Sequence, residues 1–228
     1  MKGFWGEAAG LRYVQAEPED AVSDLPVIFA IHGRGANATD LAGLASEFGD
    51  GYRWILPQGP RPVPLGPGYV GWAWYELDDS RADTVVESRD ILARFVDDTL
   101  QRLNVPRDRA LLMGFSQGAV MSLHAGLESE TTFAGIAAMS GYLPAADTLA
   151  PILPQRRDRS ILMVHGTQDQ TLGIELGRAA RDLLQNAGLS PEYAEFEMGH
   201  QITPESLAVV REYVERVLPA TFLTAPGR

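Results

Sequence analysis

Short apolar runs alternate with amphipathic segments along almost the whole chain, and this alternation restricts the possible folds more than any other sequence feature. Residues 26–31 (PVIFAI) are apolar throughout, as expected for a strand that is buried on both faces. Residues 84–103 instead carry apolar side chains at helical spacing among acids and arginines. Because strands that alternate with helices pair in parallel, the pattern predicts an α/β fold with a mainly parallel, twisted sheet and helices on both faces. Binding chemistry is then expected at the carboxyl ends of the strands.

The remaining predicted elements keep the same order. Further strands are predicted at residues 11–16, 52–56, 110–115, 133–139, 161–165 and 192–196, and further helices at residues 117–127, 174–187 and 204–218. Residues 57–75 are dense in proline, glycine and aromatic residues, so we expect an irregular, functional loop there. The 228 residues contain no linker or internal repeat, which predicts one domain over residues 1–228 with loosely held termini at residues 1–10 and 219–228.

Composition argues against several classes of function. The chain has 19 basic and 30 acidic side chains, and its formal net charge of -11 argues against nucleic acid as a partner. It contains no cysteine and no adjacent cluster of histidine and aspartate, so neither a metal nor another cofactor is expected. The longest uncharged stretch, residues 110–127, includes glycine, serine, glutamine and histidine, which predicts strand, turn and helix rather than a membrane span. Residues 1–15 lack the apolar run of a secretory signal, so a cytoplasmic location is expected.

Residues 114–118 (GFSQG) fit the pattern G-x-S-x-G between a predicted strand and a predicted helix. In that setting the serine occupies a sharp turn with its hydroxyl exposed, and the flanking glycines leave room for the turn. Ser116 is therefore the candidate nucleophile. The alternative is a tight strand-to-helix turn without chemistry.

A serine hydroxyl needs a base that takes its proton, and the chain has four histidines. His32 and His165 each end a buried strand, which suits local hydrogen bonding, and His124 lies inside the helix after the serine, which suits packing. His200 falls in the turn between the last predicted strand and the last predicted helix, where the chain order serine, acid, histidine puts the base. His200 is therefore the predicted base, and the alternative is an exposed loop histidine.

The carboxylate that orients the base should lie between the serine and the histidine, beyond the end of a strand. The aspartates available there are Asp147, Asp158, Asp169 and Asp182. Asp182 is on a helix beside arginines, and the first two are in connections rich in proline and arginine. Asp169 follows the predicted strand 161–165, one strand–helix unit before the histidine, and is the predicted acid. The alternative is a residue that caps its own turn.

Two backbone amides are expected to stabilise the oxyanion that develops during acyl transfer. One is the amide of Gln117, directly after the nucleophile, and the other is the amide of Arg34 in the glycine-rich loop after the strand 26–31. The alternative for this loop is phosphate binding, but it lacks the lysine of a P-loop and the complete dinucleotide fingerprint.

The chain resembles the phospholipase/carboxylesterase group of the α/β-hydrolase superfamily over nearly its whole length. The segments that carry the resemblance are, in order, PVIFAIHGRGAN, WAWYEL, GFSQGAVMSL, HGTQDQ and MGHQI. The resemblance implies a capless hydrolase in which the three predicted residues form a catalytic triad and the two predicted amides form the oxyanion hole. Two positions depart from the usual pattern: Arg34 stands where leucine is more usual, and residues 171–173 (TLG) replace an apolar-apolar-proline sequence.

These features predict a serine carboxylesterase that hydrolyses short- to medium-chain acyl esters through an acyl-enzyme intermediate at Ser116. The first alternative is an acyl-protein thioesterase or a lysophospholipase with the same triad. The second is a non-catalytic binding module on the same fold, because a fold by itself does not fix a function. The expected partner is a small-molecule acyl ester, and a homodimer is left open.

Without a cap, surface loops must form the substrate pocket, chiefly residues 57–75 and 141–154. The predicted apolar walls are Trp72, Trp74, Tyr75, Tyr142, Leu143 and Leu172. For the two tryptophans, the equally weighted alternative is that they anchor the loop in the core. A shallow pocket rewards an acyl chain for each buried methylene only until the chain reaches the end of the pocket, so short to medium chains are the expected substrates.

Overall fold

The structure, a computed structural model, describes residues 1–77 and 83–221. Its strands are β1 (Lys2–Ala8), β2 (Leu11–Glu17), β3 (Val27–Ile31), β4 (Arg53–Pro57), β5 (Arg61–Gly66), β6 (Tyr69–Ala73), β7 (Ala110–Phe115), β8 (Gly135–Met139), β9 (Ile161–Gly166) and β10 (Glu192–Phe196). Its α-helices are α1 (Leu44–Glu47), α2 (Asp83–Leu103), α3 (Gln117–Glu128), α4 (Ile174–Asn186) and α5 (Pro204–Val217).

Within the described residues, eight strands form one sheet in the order β1-β2-β4-β3-β7-β8-β9-β10. The strands from β4 to β10 in this order run parallel, and β2 and β1 extend the sheet in antiparallel fashion. The predicted mainly parallel sheet is therefore confirmed. Residues 110–127 form a strand, a turn and a helix, as predicted. In the described part of the chain, no helix has the length and apolar character needed to cross a membrane.

Helices cover both faces of the sheet, as predicted. On one face, Ile28 and Ala30 of β3 share an apolar core with residues of α5. On the other face, Val27, Phe29 and Ile31 of the same strand pack with residues of α2 and α3. Because alternate side chains of a strand point to opposite faces and both faces are covered, every position of β3 is buried and apolar.

Residues 57–75 differ from the predicted irregular loop. Strands β5 and β6 pair antiparallel as a separate two-stranded sheet, with a register shift between Pro64 and Gly66. The outer edge of such a ribbon needs no N–H donor, so prolines are tolerated there. Gly66 and Gly68 take up φ angles of 136° and 78°, which a tight turn requires and glycine allows. The prediction was wrong because proline and glycine argue against a central strand but not against an isolated ribbon.

The amino terminus also differs from the predicted loose end. β1 pairs with β2 along all 7 of its residues, and the guanidinium of Arg12 lies 4.7 Å from the ring centre of Trp5. Ala9 and Gly10 both have positive φ and close the turn between these strands. Pairing with a strand of the main sheet therefore holds residues 2–8 in place. At the other end, residues 222–228 lie outside the described residues.

Candidate active site

Ser116 occupies the sharp turn between β7 and α3, at φ 56° and ψ -120°, a strained backbone conformation for a residue with a side chain. The neighbouring chain segments touch so closely that glycine is required on both sides. A Cβ at position 114 would lie 2.2 Å from the carbonyl carbon of Gly118, and a Cβ at position 118 would lie 1.8 Å from the carbonyl oxygen of Ile31. This geometry matches the nucleophile elbow that the sequence predicts.

Asp169 and His200 meet at the carboxyl ends of β9 and β10, which are adjacent in the sheet. His200 Nδ1 donates a hydrogen bond of 2.7 Å to Asp169 Oδ2. The aspartate side chain is fully buried and the histidine side chain is 19% exposed, so the pair reaches the surface through its imidazole. The structure therefore joins the predicted acid to the predicted base.

The loop after β9 stabilises the charged form of Asp169. Its Oδ1 accepts hydrogen bonds from the amides of Thr171 (2.9 Å) and Leu172 (2.8 Å). Burial alone raises the pKa of this carboxyl, but the hydrogen bonds that it accepts outweigh burial and hold its pKa below the ordinary value. The carboxylate therefore remains ionised in the pH range in which a histidine acts as a base.

The other three histidines have structural partners of their own. His32 Nε2 accepts a hydrogen bond from the Gly59 amide (2.9 Å), and burial lowers the pKa of His32 to about 4. His124 bonds to the carbonyl oxygen of Pro144 through Nε2 (2.8 Å), and burial likewise lowers its pKa to about 4. His165 Nε2 donates to the carbonyl oxygen of Leu172 (2.8 Å), which fastens the loop that carries Asp169. Those three histidines support the structure around the site.

The glycine-rich loop after β3 is fastened to the β5–β6 hairpin. The amide of Gly35 donates to the carbonyl oxygen of Trp72, and the amide of Trp72 donates to the carbonyl oxygen of Ala36, both at 2.8 Å. A Cβ at Gly71 would lie 2.0 Å from the carbonyl oxygen of Gly35, so the two backbones are in direct contact. The hairpin thereby fixes the loop that presents the Arg34 amide.

The two predicted oxyanion donors border the same cavity as the serine. Among the described residues, neither the Arg34 amide nor the Gln117 amide donates a hydrogen bond to the protein. An unpaired amide is expected at Gln117, because the first N–H groups of a helix have no intrahelical acceptor. Both amides are therefore available to a ligand, and their catalytic role stays a prediction.

The Gln117 side chain connects this turn to the segment after the hairpin. Its Oε1 accepts a hydrogen bond from the Trp74 amide, and its Nε2 donates to the carbonyl oxygen of Tyr75, both at 2.9 Å. These two hydrogen bonds give partners to the backbone N–H of Trp74 and the backbone C=O of Tyr75, which lie beyond the end of β6 and have no strand partner within the described residues. They also hold the Tyr75 ring against the cavity, where the sequence predicts it.

A cavity of about 360 Å³ opens above the nucleophile. It is lined by Arg34, Gly35, Val63, Leu65, Tyr75, Leu77, Ser116, Gln117, Tyr142, Thr171, Leu172 and His200. Serine and histidine thus share one cavity, although no hydrogen bond joins their side chains in the described part of the chain. Another cavity, of about 300 Å³, lies beside the amino ends of β7 and β8 and is bordered by Asp97, Arg107 and Phe133. It contains no member of the predicted triad.

Three of the predicted pocket residues do not line the cavity beside Ser116. Trp74 is fully buried, and its indole N–H donates to the carbonyl oxygen of His32 (3.0 Å). Trp72 is half-buried and contributes backbone bonds to the glycine-rich loop. Leu143 packs in the core with α3 and α4. The anchoring alternative therefore describes Trp74 better than substrate contact does, because burial of its large ring satisfies both its apolar surface and its N–H group.

Other residues that line the cavity were not among the predicted walls. Val63 and Leu65 come from β5, and Leu77 follows the hairpin. Two apolar side chains two residues apart are the spacing of one face of a strand, so an alternating pattern was present in residues 61–66. The surrounding prolines and glycines concealed it.

Known proteins resemble this chain in sequence. The sequence profile of the family described as Phospholipase/Carboxylesterase matches residues 14–218. Acyl-protein thioesterase 1 of Mycosarcoma maydis is 30% identical over 236 aligned positions, which cover 92% of this chain and 98% of that protein. Acyl-protein thioesterase 1 homolog 1 of Dictyostelium discoideum is 31% identical over 176 aligned positions, which cover 73% of this chain and 77% of that protein.

Solved structures show the same fold. The esterase PE8 superposes with a TM-score of 0.77 at 21% identity and covers 90% of this chain and 97% of its own. A carboxylesterase from Mesorhizobium loti superposes with a TM-score of 0.77 at 20% identity, and the superposition covers 93% of this chain and 98% of that chain. At these identities the likeness concerns the fold alone.

Proposed function

The chain belongs to the phospholipase/carboxylesterase family, a group of hydrolases that act on ester bonds, and we propose that Ser116, Asp169 and His200 catalyse its reaction as a triad. The observation that carries the proposal is the 2.7 Å hydrogen bond between His200 Nδ1 and a buried Asp169, beside a cavity that the strained Ser116 also lines. Ser116 and His200 thus line one opening although they are far apart in sequence, and Asp169 lies buried behind the histidine. The chain order serine, acid, histidine is typical of this fold.

In the first half of the reaction, Ser116 Oγ attacks the carbonyl carbon of a bound ester and His200 takes the hydroxyl proton. With its Nδ1–H donated to Asp169, a neutral His200 keeps its lone pair on Nε2. The buried carboxylate then stabilises the imidazolium that forms. Collapse of the tetrahedral intermediate breaks the ester C–O bond, and the imidazolium gives its proton to the leaving alcohol.

In the second half, water attacks the acyl-enzyme while His200 again acts as base and then returns the proton to Ser116 Oγ. The oxygen of each tetrahedral intermediate is proposed to accept hydrogen bonds from the amides of Arg34 and Gln117. Both amides are unpaired among the described residues and border the cavity, which is the arrangement an oxyanion hole needs.

The acyl group is proposed to occupy the cavity between the hairpin and the loop after β9. Its walls are largely apolar side chains, namely Val63, Leu65, Leu77 and Leu172. A volume of about 360 Å³ is at the lower end for ligand pockets, which favours short- to medium-chain acyl esters. Thioesters are the second candidate substrates, because curated relatives are named acyl-protein thioesterases and the same steps cleave a C–S bond.

A labelling experiment tests the assignment of the nucleophile. Ser116→Ala should lose covalent labelling by a fluorophosphonate probe and nearly all hydrolysis of p-nitrophenyl butyrate, while its circular dichroism spectrum stays unchanged. Ser46→Ala, at an exposed serine on α1, is the matched control and should label and turn over normally. Persistent labelling of Ser116→Ala at another serine would show that the nucleophile is misassigned, and absence of any hydrolysis by the unaltered protein would favour the binding module.

The preferred leaving group and the cytoplasmic location remain predictions, and no oligomeric state is predicted. Rates on matched butyryl esters and butyryl thioesters measure the preference between oxygen and sulfur leaving groups. Cell fractionation tests the location, and sedimentation equilibrium tests the oligomeric state.

A further inference from the structure

Arg34 places a cationic side chain at the cavity that Ser116 and His200 also line. Among the described residues that line this cavity, no aspartate or glutamate occurs, and Arg34 is the one side chain with a permanent charge. Burial raises the pKa of the Tyr75 hydroxyl, and the positive charge of Arg34 opposes that rise. The guanidinium therefore acts electrostatically on the wall of the cavity, and it also remains exposed to solvent.

The Arg34 guanidinium has no hydrogen bond, ion pair or aromatic ring partner within residues 1–77 and 83–221. Two other arginines of the strands are ion-paired. Arg61 of the hairpin contacts Glu87 at 2.7 Å, and Arg53 contacts Glu17 at 2.6 Å. Acidic side chains outnumber basic ones in this chain, 30 against 19. An arginine that lines the cavity without a carboxylate partner in the described part of the chain is therefore an available anion-binding group.

The same residue carries the proposed oxyanion donor on its backbone. A substrate whose carbonyl oxygen accepts a hydrogen bond from the Arg34 amide therefore has its scissile bond next to the residue that carries the guanidinium. Guanidinium groups bind carboxylates through two parallel hydrogen bonds, and they do so better where water is partly excluded. The net charge of -11 repels anions elsewhere on the protein, so a local cation changes selectivity strongly.

From these observations we propose that Arg34 selects esters that carry a carboxylate close to the scissile bond. This inference rests on the proposed esterase function and specifies its substrate class. The carboxylate belongs either to the acyl part, as in a half-ester of a dicarboxylic acid, or to the alcohol part, as in an ester of a hydroxy acid. The position that family members usually fill with leucine thus becomes a specificity residue in this chain.

Two pairs of substrates test the proposal and separate the two positions of the carboxylate. Monomethyl glutarate is compared with methyl pentanoate for the acyl part, and carboxymethyl butyrate with ethyl butyrate for the alcohol part. In each pair, the measured quantity is the ratio of kcat/KM for the charged ester to kcat/KM for the neutral one. Arg34→Gln should lower this ratio about tenfold in at least one pair, the effect of losing one charge-assisted hydrogen bond at a partly exposed site.

Matched variants separate a local effect from a general one. Arg34→Lys keeps the charge but not the forked donor geometry, so its ratio should lie between those of the unaltered protein and Arg34→Gln. Arg211→Gln removes one positive charge from the exposed side of α5 and should leave the ratio unchanged. High salt should lower the ratio of the unaltered protein, because a partly exposed charge is screened.

The outcomes distinguish this inference from the function on which it rests. Equal ratios for the unaltered protein and Arg34→Gln in both pairs overturn it, as does an equal loss in Arg211→Gln. Failure of the proposed function has a different signature, namely no hydrolysis of either member of a pair by any of the proteins.

Discussion

The proposed catalytic edge of the sheet, formed by residues 114–118, Asp169 and His200, and the β5–β6 hairpin border one cavity, but their surroundings are opposite. At the catalytic edge the Asp169 side chain has no exposed surface, and the backbone at Gly118 touches β3 with no room for a Cβ. In the hairpin, Leu65 is 57% exposed and Tyr69 is 74% exposed. One side of the cavity is thus part of the protein core, and the other is an exposed ribbon.

This difference assigns different tasks to the two regions. Proton transfer requires atoms held within fractions of an ångström, which packed strand ends provide. Substrate selection tolerates some movement of the residues that contact the substrate, and substitutions in an exposed ribbon have little effect on the packing of the core. We therefore expect substitutions at the catalytic edge to abolish turnover on all esters, and substitutions in the hairpin to change which ester is preferred.

The largest effect is expected from Asp169→Asn, which tests the catalytic edge. The amide is nearly the same shape as the carboxylate, but it neither stabilises the imidazolium nor fixes the imidazole tautomer, so kcat should fall on the order of 10⁴-fold for every acyl length. Asp182→Asn, at an exposed ion pair with Arg181 on α4, is the control. Initial rates with a series of p-nitrophenyl esters give the comparison, and a loss of less than tenfold contradicts the assignment of the acid.

The catalytic edge was largely predictable from the sequence because its constraints are local. The pattern GFSQG between an apolar strand and a helix specifies the elbow, and Asp169 and His200 each follow a predicted strand. Parallel strands bring their carboxyl ends to the same edge, so the three residues were expected to converge. Local hydrogen bonding by His165 was expected, but its partner, the Leu172 carbonyl, could not be predicted because it depends on how one loop folds back on its strand.

The hairpin was less predictable because its stability depends on contacts that are distant in sequence. Its composition argues against a strand, yet it pairs with itself and is bound to the glycine-rich loop through Gly35 and Trp72. For Trp74 the sequence favoured a pocket wall and a core anchor equally, and the ring is buried. Gln117 and His32, from two other parts of the chain, bond its backbone and its indole. Aromatic composition alone does not tell which rings face a cavity and which face the core.

A smaller effect is expected from Gly71→Ala, at the contact between the two regions. The added Cβ would lie 2.0 Å from the Gly35 carbonyl oxygen, so the glycine-rich loop must shift and displace the Arg34 amide. Loss of one oxyanion donor lowers kcat about a hundredfold, which is the size we expect for all acyl lengths. Gly68→Ala strains the hairpin turn (φ 78°) without any atom near its Cβ, and serves as the control. A loss of similar size in both variants would mean that the hairpin as a whole, not its contact with the loop, supports activity.

The smallest effect is expected from Leu65→Ala, which tests whether the exposed ribbon selects the acyl chain. Leu65 lines the cavity, so an acyl chain that reaches it buries part of its side chain. Each fully buried methylene is worth about 0.8 kcal/mol, so losing about one methylene of contact should lower kcat/KM about three- to fivefold. The kcat/KM for hexanoyl and octanoyl esters should fall by this factor, whereas acetyl esters, which are too short to reach the hairpin, should keep their rates.

Val70→Ala, at an exposed hairpin residue that does not line the cavity, is the control and should change the rate on neither the long nor the short esters. An equal loss for acetyl and octanoyl esters would show that Leu65 supports the glycine-rich loop instead, since its Cδ2 atom lies 3.6 Å from where a Cβ at Gly35 would be.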